Sequence, residues 1–258
     1  MRMAWPEWLR APTHKTTTPP DIKQYNRLLE TAAVVAKLNP SALHDLVKAV
    51  LRPLQSELIM GVLERGQDTV PDMSGYEFFF DLTKHPCRSQ TAEPRLLDPA
   101  GFELHLGRDL ILPCPWKPDR LERALALIDS RRDDDDPAIR ERIDTGPWNQ
   151  KKDNHQVRLW LPWRIGFVIN GHHSIATGII TGKGSLVPEQ VHDMSFLLDE
   201  FACDGRSYTD RSTGRPIAPV TDVRRAAVFE IGRLIRERTA GLAVNDASVS
   251  HLTPAERA

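Results

Sequence analysis

Cysteine is scarce: Cys87, Cys114 and Cys203 are the only three, odd in number and far apart. That excludes a disulfide framework and the paired Cys-x-x-Cys spacing of zinc or redox sites, and it fits a reducing compartment. Long hydrophobic runs are missing. Nothing approaches the ~20 apolar residues that cross a bilayer, and Met1 to Trp8 contain no signal-peptide core. The expectation is a cytoplasmic protein with no membrane partner. A surplus of either charge is missing too: 34 Lys and Arg against 35 Asp and Glu leave a net charge of −1, so no global field draws the chain to nucleic acid. Internal repeats are also absent.

What is present is ordinary for a globular chain, with 40% hydrophobic and 27% charged residues over 258 positions. That is enough for one large domain, or one domain with a smaller helical attachment. Residues 1–20, rich in Pro and Thr, read as a flexible arm, and 21–99 as a helical segment and connector. Asp21 caps a helix to about Leu38, and Asn39-Pro40-Ser41 breaks it. A second helix carries Leu43, Leu46, Val47, Val50, Leu54 and Leu58, with Pro53 expected to kink or split it. Tyr76 to Phe80 reads either as a strand or as one buried turn capped by Ser74. The domain boundary is placed near Pro99.

From 100 to 240 the pattern is α+β. Phe102 to Leu106 alternates like a strand, and Pro118 opens a helix with Leu121, Ala124, Leu125 and Ile128 inward. The four carboxylates Asp133 to Asp136 repel one another and read as a solvated loop rather than a metal site. Val157–Trp160 and Ile165–Ile169 read as strands, Leu186–Val191 as an edge strand because of Pro188, and Phe196–Ala202 as a continuation of sheet. Asp204-Gly205 marks a hairpin and Thr213-Gly214 a turn. Thr221-Asp222 caps a last helix to about Arg238, ended by Gly241, and 241–258 reads as a loose tail. The expected fold is an N-terminal helical segment packed on a small mixed β-sheet, with a C-terminal helix.

The chemistry concentrates where Ile165–Ile169 stops at Asn170-Gly171 and His172, His173 and Ser174 open a helix carrying Ile175, Ala176, Ile179 and Ile180. A strand that turns through Gly into a helix leaves the first N–H groups of that helix without partners, a site for an anion such as phosphate. His173, with an ordinary pKa near neutral, is the candidate general base or acid. The architectural alternative is a helix start whose imidazoles bond backbone groups, with Ser174 and Thr177 capping or bonding back.

The run Phe-Val-Ile-Asn-Gly-His-His-Ser-Ile-Ala resembles the strand–turn–helix of the ParB/sulfiredoxin-like superfamily, and Glu103 to Trp116 with its following helix is similar to that module's first strand and helix. The resemblance covers about residues 100–185. It implies a ParB-like domain at 100–240 that holds nucleotide phosphates at Gly171, His172 and His173. Asn170, Ser174 and Thr177 of the same turn and helix are grouped with them as phosphate-binding candidates, and the cofactor is unknown, a nucleotide with Mg²⁺ being the candidate. The resemblance also implies phosphoryl transfer or phosphodiester cleavage with His173 in the catalytic role. The superfamily's Arg after the His is Ser174 here, so a bidentate phosphate contact is lost, and Arg164, Arg120 or Lys183 could replace its charge. The chain also resembles an uncharacterised bacterial family with Asn-Gly-Xaa-His-Ser-Ile and a downstream Cys-Asp-Gly.

Two rivals stand beside this reading. Eight arginines against four carboxylates between Arg206 and Arg238 suggest a non-catalytic DNA-associated protein of a bacterial mobile element, contacting phosphates through Arg225, Arg233 and Arg236 on the outer face of the last helix. A metal-dependent hydrolase would instead gather His155, His192 and Asp193, with Asp153 and His173, around a metal ion.

Overall fold

The computed structural model describes residues 21–69, 73–84, 94–128, 148–150 and 155–250, with side chains to 238. The expected arm, residues 251–258 of the expected tail, Asp133–Asp136, Asp153 and Cys87 lie outside these residues.

The N-terminal helices follow local chemistry. Asp21 accepts the Lys23 and Gln24 N–H groups and starts α1 (Ile22–Leu38). α2 (Leu43–Arg65) buries Leu43, Val47, Val50, Leu54 and Leu58 as the spacing predicts. It runs unbroken through Pro53, which corrects the expected split; burial of that face outweighs one lost backbone bond. Tyr76 to Phe80 is not a strand. A single tight turn, Gly75–Glu77, capped by Ser74, swings Phe78, Phe79 and Phe80 into the core.

The strands are β1 (Arg95–Leu97), β2 (Leu104–His105), β3 (Ile111–Leu112), β4 (Gln156–Leu161), β5 (Ile165–Asn170), β6 (Ser185–Leu186), β7 (Gln190–Asp193), β8 (Phe201–Cys203), β9 (Ser207–Asp210) and β10 (Pro216–Pro219). The other helices are α3 (Pro118–Leu127), α4 (His172–Thr181), α5 (Phe196–Glu200) and α6 (Val223–Ser250). The fold is mixed α+β. Its central sheet runs β1-β7-β4-β5-β3, with β1–β7 and β4–β5 antiparallel and β7–β4 and β5–β3 parallel. A three-stranded antiparallel sheet, β10-β9-β8, and the pair β2-β6 complete it.

Strand alternation sorts the central sheet's two faces. Val157, Leu159, Val168 and Val191 meet Ile175 of α4 in one cluster. Trp160, Ile165 and Phe167 face the other way, into the main core with α1, α2, the Phe78–Phe80 segment and α6. On edge strand β3 the Ile111 carbonyl takes a hydrogen bond from Gln55 of α2 at 2.7 Å, giving an edge group a partner.

Three further expectations fail. Pro188 separates β6 from β7, and β7 is an interior strand between β1 and β4. Phe196–Glu200 is a helical turn rather than sheet; five residues are too few for periodicity to distinguish the two. α6 continues past Gly241 to Ser250, since an isolated Gly costs a helix only about 1 kcal/mol. The Asp204-Gly205 hairpin joins β8 to β9, and Asp222 accepts the Arg224 and Arg225 N–H groups at the start of α6.

Candidate functional site

Gly171 makes the turn from β5 into α4 with φ 83°, a left-handed conformation that suits Gly. A Cβ there would collide with the His155 ring. The Asn170 side chain accepts the Gly171 N–H at 3.0 Å, so it serves its own turn. Thr177 is fully buried and donates back to the His173 carbonyl at 3.0 Å. Half-buried Ser174 offers its carbonyl to the Trp148 indole N–H at 2.9 Å.

The two histidines are tied to the segment that precedes α3. The Cys114 N–H donates to His172 Nδ1 at 2.9 Å, and the Lys117 N–H donates to His173 Nε2 at 3.2 Å. Each ring therefore carries its proton on the opposite nitrogen. Burial first, then the Arg120 and His172 charges, pushes the His173 pKa from 6.5 down to about 4. Trp116 packs edge-on against both rings. His173 is thus a neutral acceptor that joins two helix starts. Its Nε2 lone pair, the one a general base would use, is directed at Lys117.

Arg120 is exposed on α3 and its charge reaches His173, whereas Arg164 precedes β5. Six strand residues span about 20 Å, so Arg164 is at the far end from Gly171 and joins α2, where it acts on His44. Lys183 follows the other end of α4. Neither lies at the turn.

The structure offers a different arginine. Arg158 on β4 and His172 line one cavity of about 190 Å³ beneath Met73–Gly75, walled by Trp160, Phe167 and Ile169. Arg158 Nε–H donates to Gln190 Oε1 at 3.0 Å, which orients the guanidinium, and the Tyr76 ring lies 5.8 Å away. Nη1 and Nη2 have no partner among the described residues, and no carboxylate pairs with this side chain there. The Trp160 indole N–H is likewise buried without a partner among them. Sequence reasoning missed Arg158. The available signal was an Arg at an alternating position in a strand where Val157 and Leu159 face the opposite side.

The metal set does not assemble. His155 stacks on Trp148 beside Gly171, while His192 pairs with Trp160 near the other end of β4, roughly 16 Å along the strand. His192 faces Gln190, and Asp193 accepts the Ser195 N–H. Among the described residues no three His, Cys, Asp or Glu side chains gather to hold an ion.

The three arginines of α6 face inward rather than outward. Arg225 donates to the Phe78 carbonyl and pairs with Asp222. Arg233 holds Glu230 and the Leu198 and Phe201 carbonyls, and Arg236 binds Asp199 and the Ser195 carbonyl. Cys203 is buried, and its thiol is pushed up to about 12, chiefly by burial, which makes it inert as a nucleophile. No helix among the described residues is long and apolar enough to cross a membrane.

An α+β chain with this turn and hairpin falls within a recognised family. It matches the Family of unknown function (DUF6710) over residues 12–240 and belongs to it. No curated protein and no solved structure matches.

Proposed function

We propose that this chain is a small-molecule-binding module that takes an oxyanion in the cavity between Arg158 and the start of α4. Phosphate-bearing ligands, nucleotides with Mg²⁺ included, are the class suggested by the ParB/sulfiredoxin-like resemblance. The observation that carries the reading is the Arg158 guanidinium: oriented by Gln190, set in a cavity with His172, and without a counter-charge among the described residues. Half-buried guanidinium groups are ordinarily paired, and the open Nη edge matches a carboxylate or phosphate fork. The role is binding rather than catalysis, because His173 is held neutral with its Nε2 turned to Lys117.

Thermal melting with inorganic phosphate, nucleotides with and without Mg²⁺, and simple carboxylates tests this. A ligand specific to the folded state raises the melting temperature by mass action. At least one oxyanion should stabilise the wild type and Arg120→Gln but not Arg158→Gln. No shift with any oxyanion, or a shift retained by Arg158→Gln, would overturn the reading.

A further inference from the structure

Resting on that reading, we infer that His192 couples the cavity to a proton: an anion bound at Arg158 is taken up together with a proton on His192. The link is a single oxygen. Gln190 Oε1 accepts from Arg158 Nε at 3.0 Å and lies 3.1 Å from His192 Nε2. A carboxamide oxygen only accepts, so Nε2 carries the imidazole proton and Nδ1 is the position for a second. Strand pairing fixes the arrangement. β4 and β7 run parallel, with Arg158 opposite Gln190 and Trp160 opposite His192. His192 is 5% exposed, and its Nδ1 is buried without a hydrogen-bond partner among the described residues.

Burial opposes a charge on His192, and the Arg158 guanidinium on the other side of the shared oxygen opposes it further. An anion against the Nη edge of Arg158 offsets that second effect, so His192 takes a proton more readily while the anion is bound. Linkage is reciprocal: protonated His192 strengthens the hold on the anion by the same factor. Among the described residues Arg158 is the one charge acting on His192. Leu96 of β1 and Trp160 of β4 stand beside it in register, and Tyr76, edge-on to Trp160, is a further titratable side chain on this face. Arg95 and Asp193 pair one position along, where alternation turns them to the opposite face. His172 lines the cavity itself and is the rival titrating group.

Calorimetric titration of the full chain with sulfate tests the coupling, because sulfate stays fully ionised while pH is varied. In wild type the dissociation constant should fall at least about threefold from about pH 7.5 to about pH 5.5, within the limit of about tenfold per pH unit for one proton. Binding heats in buffers of different ionisation enthalpy should show net proton uptake. His192→Gln, whose amide can still donate to Gln190, should lose both the fall and the uptake, and His172→Gln should keep them. A fall that persists in His192→Gln, or that vanishes in His172→Gln alone, would overturn the assignment. Should His192→Gln fail to fold, uptake retained by His172→Gln supports the inference and wild-type binding without uptake overturns it. Sulfate affinity independent of pH ends the coupling and leaves the oxyanion site standing. No sulfate binding at either pH also ends it, and the oxyanion site falls only if phosphate and carboxylates fail as well.

Discussion

Two polar places flank the end of β5, and their hydrogen bonding separates them. At the start of α4 the two histidines that dominate the sequence each take a backbone N–H, from Cys114 and from Lys117. In the cavity, Arg158 keeps the Nη edge of its guanidinium without a partner among the described residues. The arginines of α6 side with the histidines, since each engages a carbonyl and a carboxylate, with only the buried Arg225 Nε–H lacking a hydrogen-bond partner among these contacts. A conspicuous motif can be architecture while an unremarkable strand residue holds the capacity to bind. Unfilled hydrogen-bonding capacity, not residue type, marks the difference.

Substitutions on the satisfied side should lower stability, and those on the open side should not. The largest loss is expected for Arg233→Ala. It removes two carbonyl contacts and takes the counter-charge from Glu230, which keeps only the Cys203 N–H, at a cost of about 2–4 kcal/mol in denaturant unfolding. A fall of less than about 0.5 kcal/mol would return Arg233 to the surface role expected from the sequence. His173→Ala should follow with roughly 1–3 kcal/mol, from a lost acceptor for Lys117 and a small cavity.

Acid should single out the same side. Burial holds the His173 pKa at about 4 and lowers those of His44 and His192. Below pH 6.5 the unfolded chain binds protons that the folded chain refuses, so stability is whole above that pH and is lost as pH falls toward 4. Melting temperature against pH should decline less steeply in His173→Gln than in wild type; parallel curves would remove His173 from the cause. The smallest effect belongs to Arg158→Gln, less than about 1 kcal/mol for one exchanged hydrogen bond. A larger loss would make Arg158 architecture as well.

Features governed by nearest neighbours were legible in the sequence. Asp21 and Asp222 cap their helices and Asp204 closes a hairpin because each side chain meets backbone two or three residues away, and Gly171 turns β5 into α4 because its own φ is positive. Short or conflicted segments were not. Phe196–Glu200 is too brief to show a period, and Pro53 and Gly241 are overridden by the helices around them. Arg158 was invisible for another reason. Its importance lies in which groups fail to approach it, and that depends on β7 pairing with β4 from thirty-odd positions downstream.

The tie between the first helix and the last hairpin bears on how the chain is made. Tyr25 of α1 donates to the Cys203 carbonyl at 2.6 Å across 178 positions, and its ring packs against Gly205, where a Cβ would approach within 2.7 Å. At 5–20 residues per second, α1 leaves the ribosome roughly 10–35 s before its acceptor exists. During that interval its apolar face has no hairpin to close against. The newborn α1 must therefore wait, partly uncovered, until the hairpin at Cys203 to Gly205 has been made.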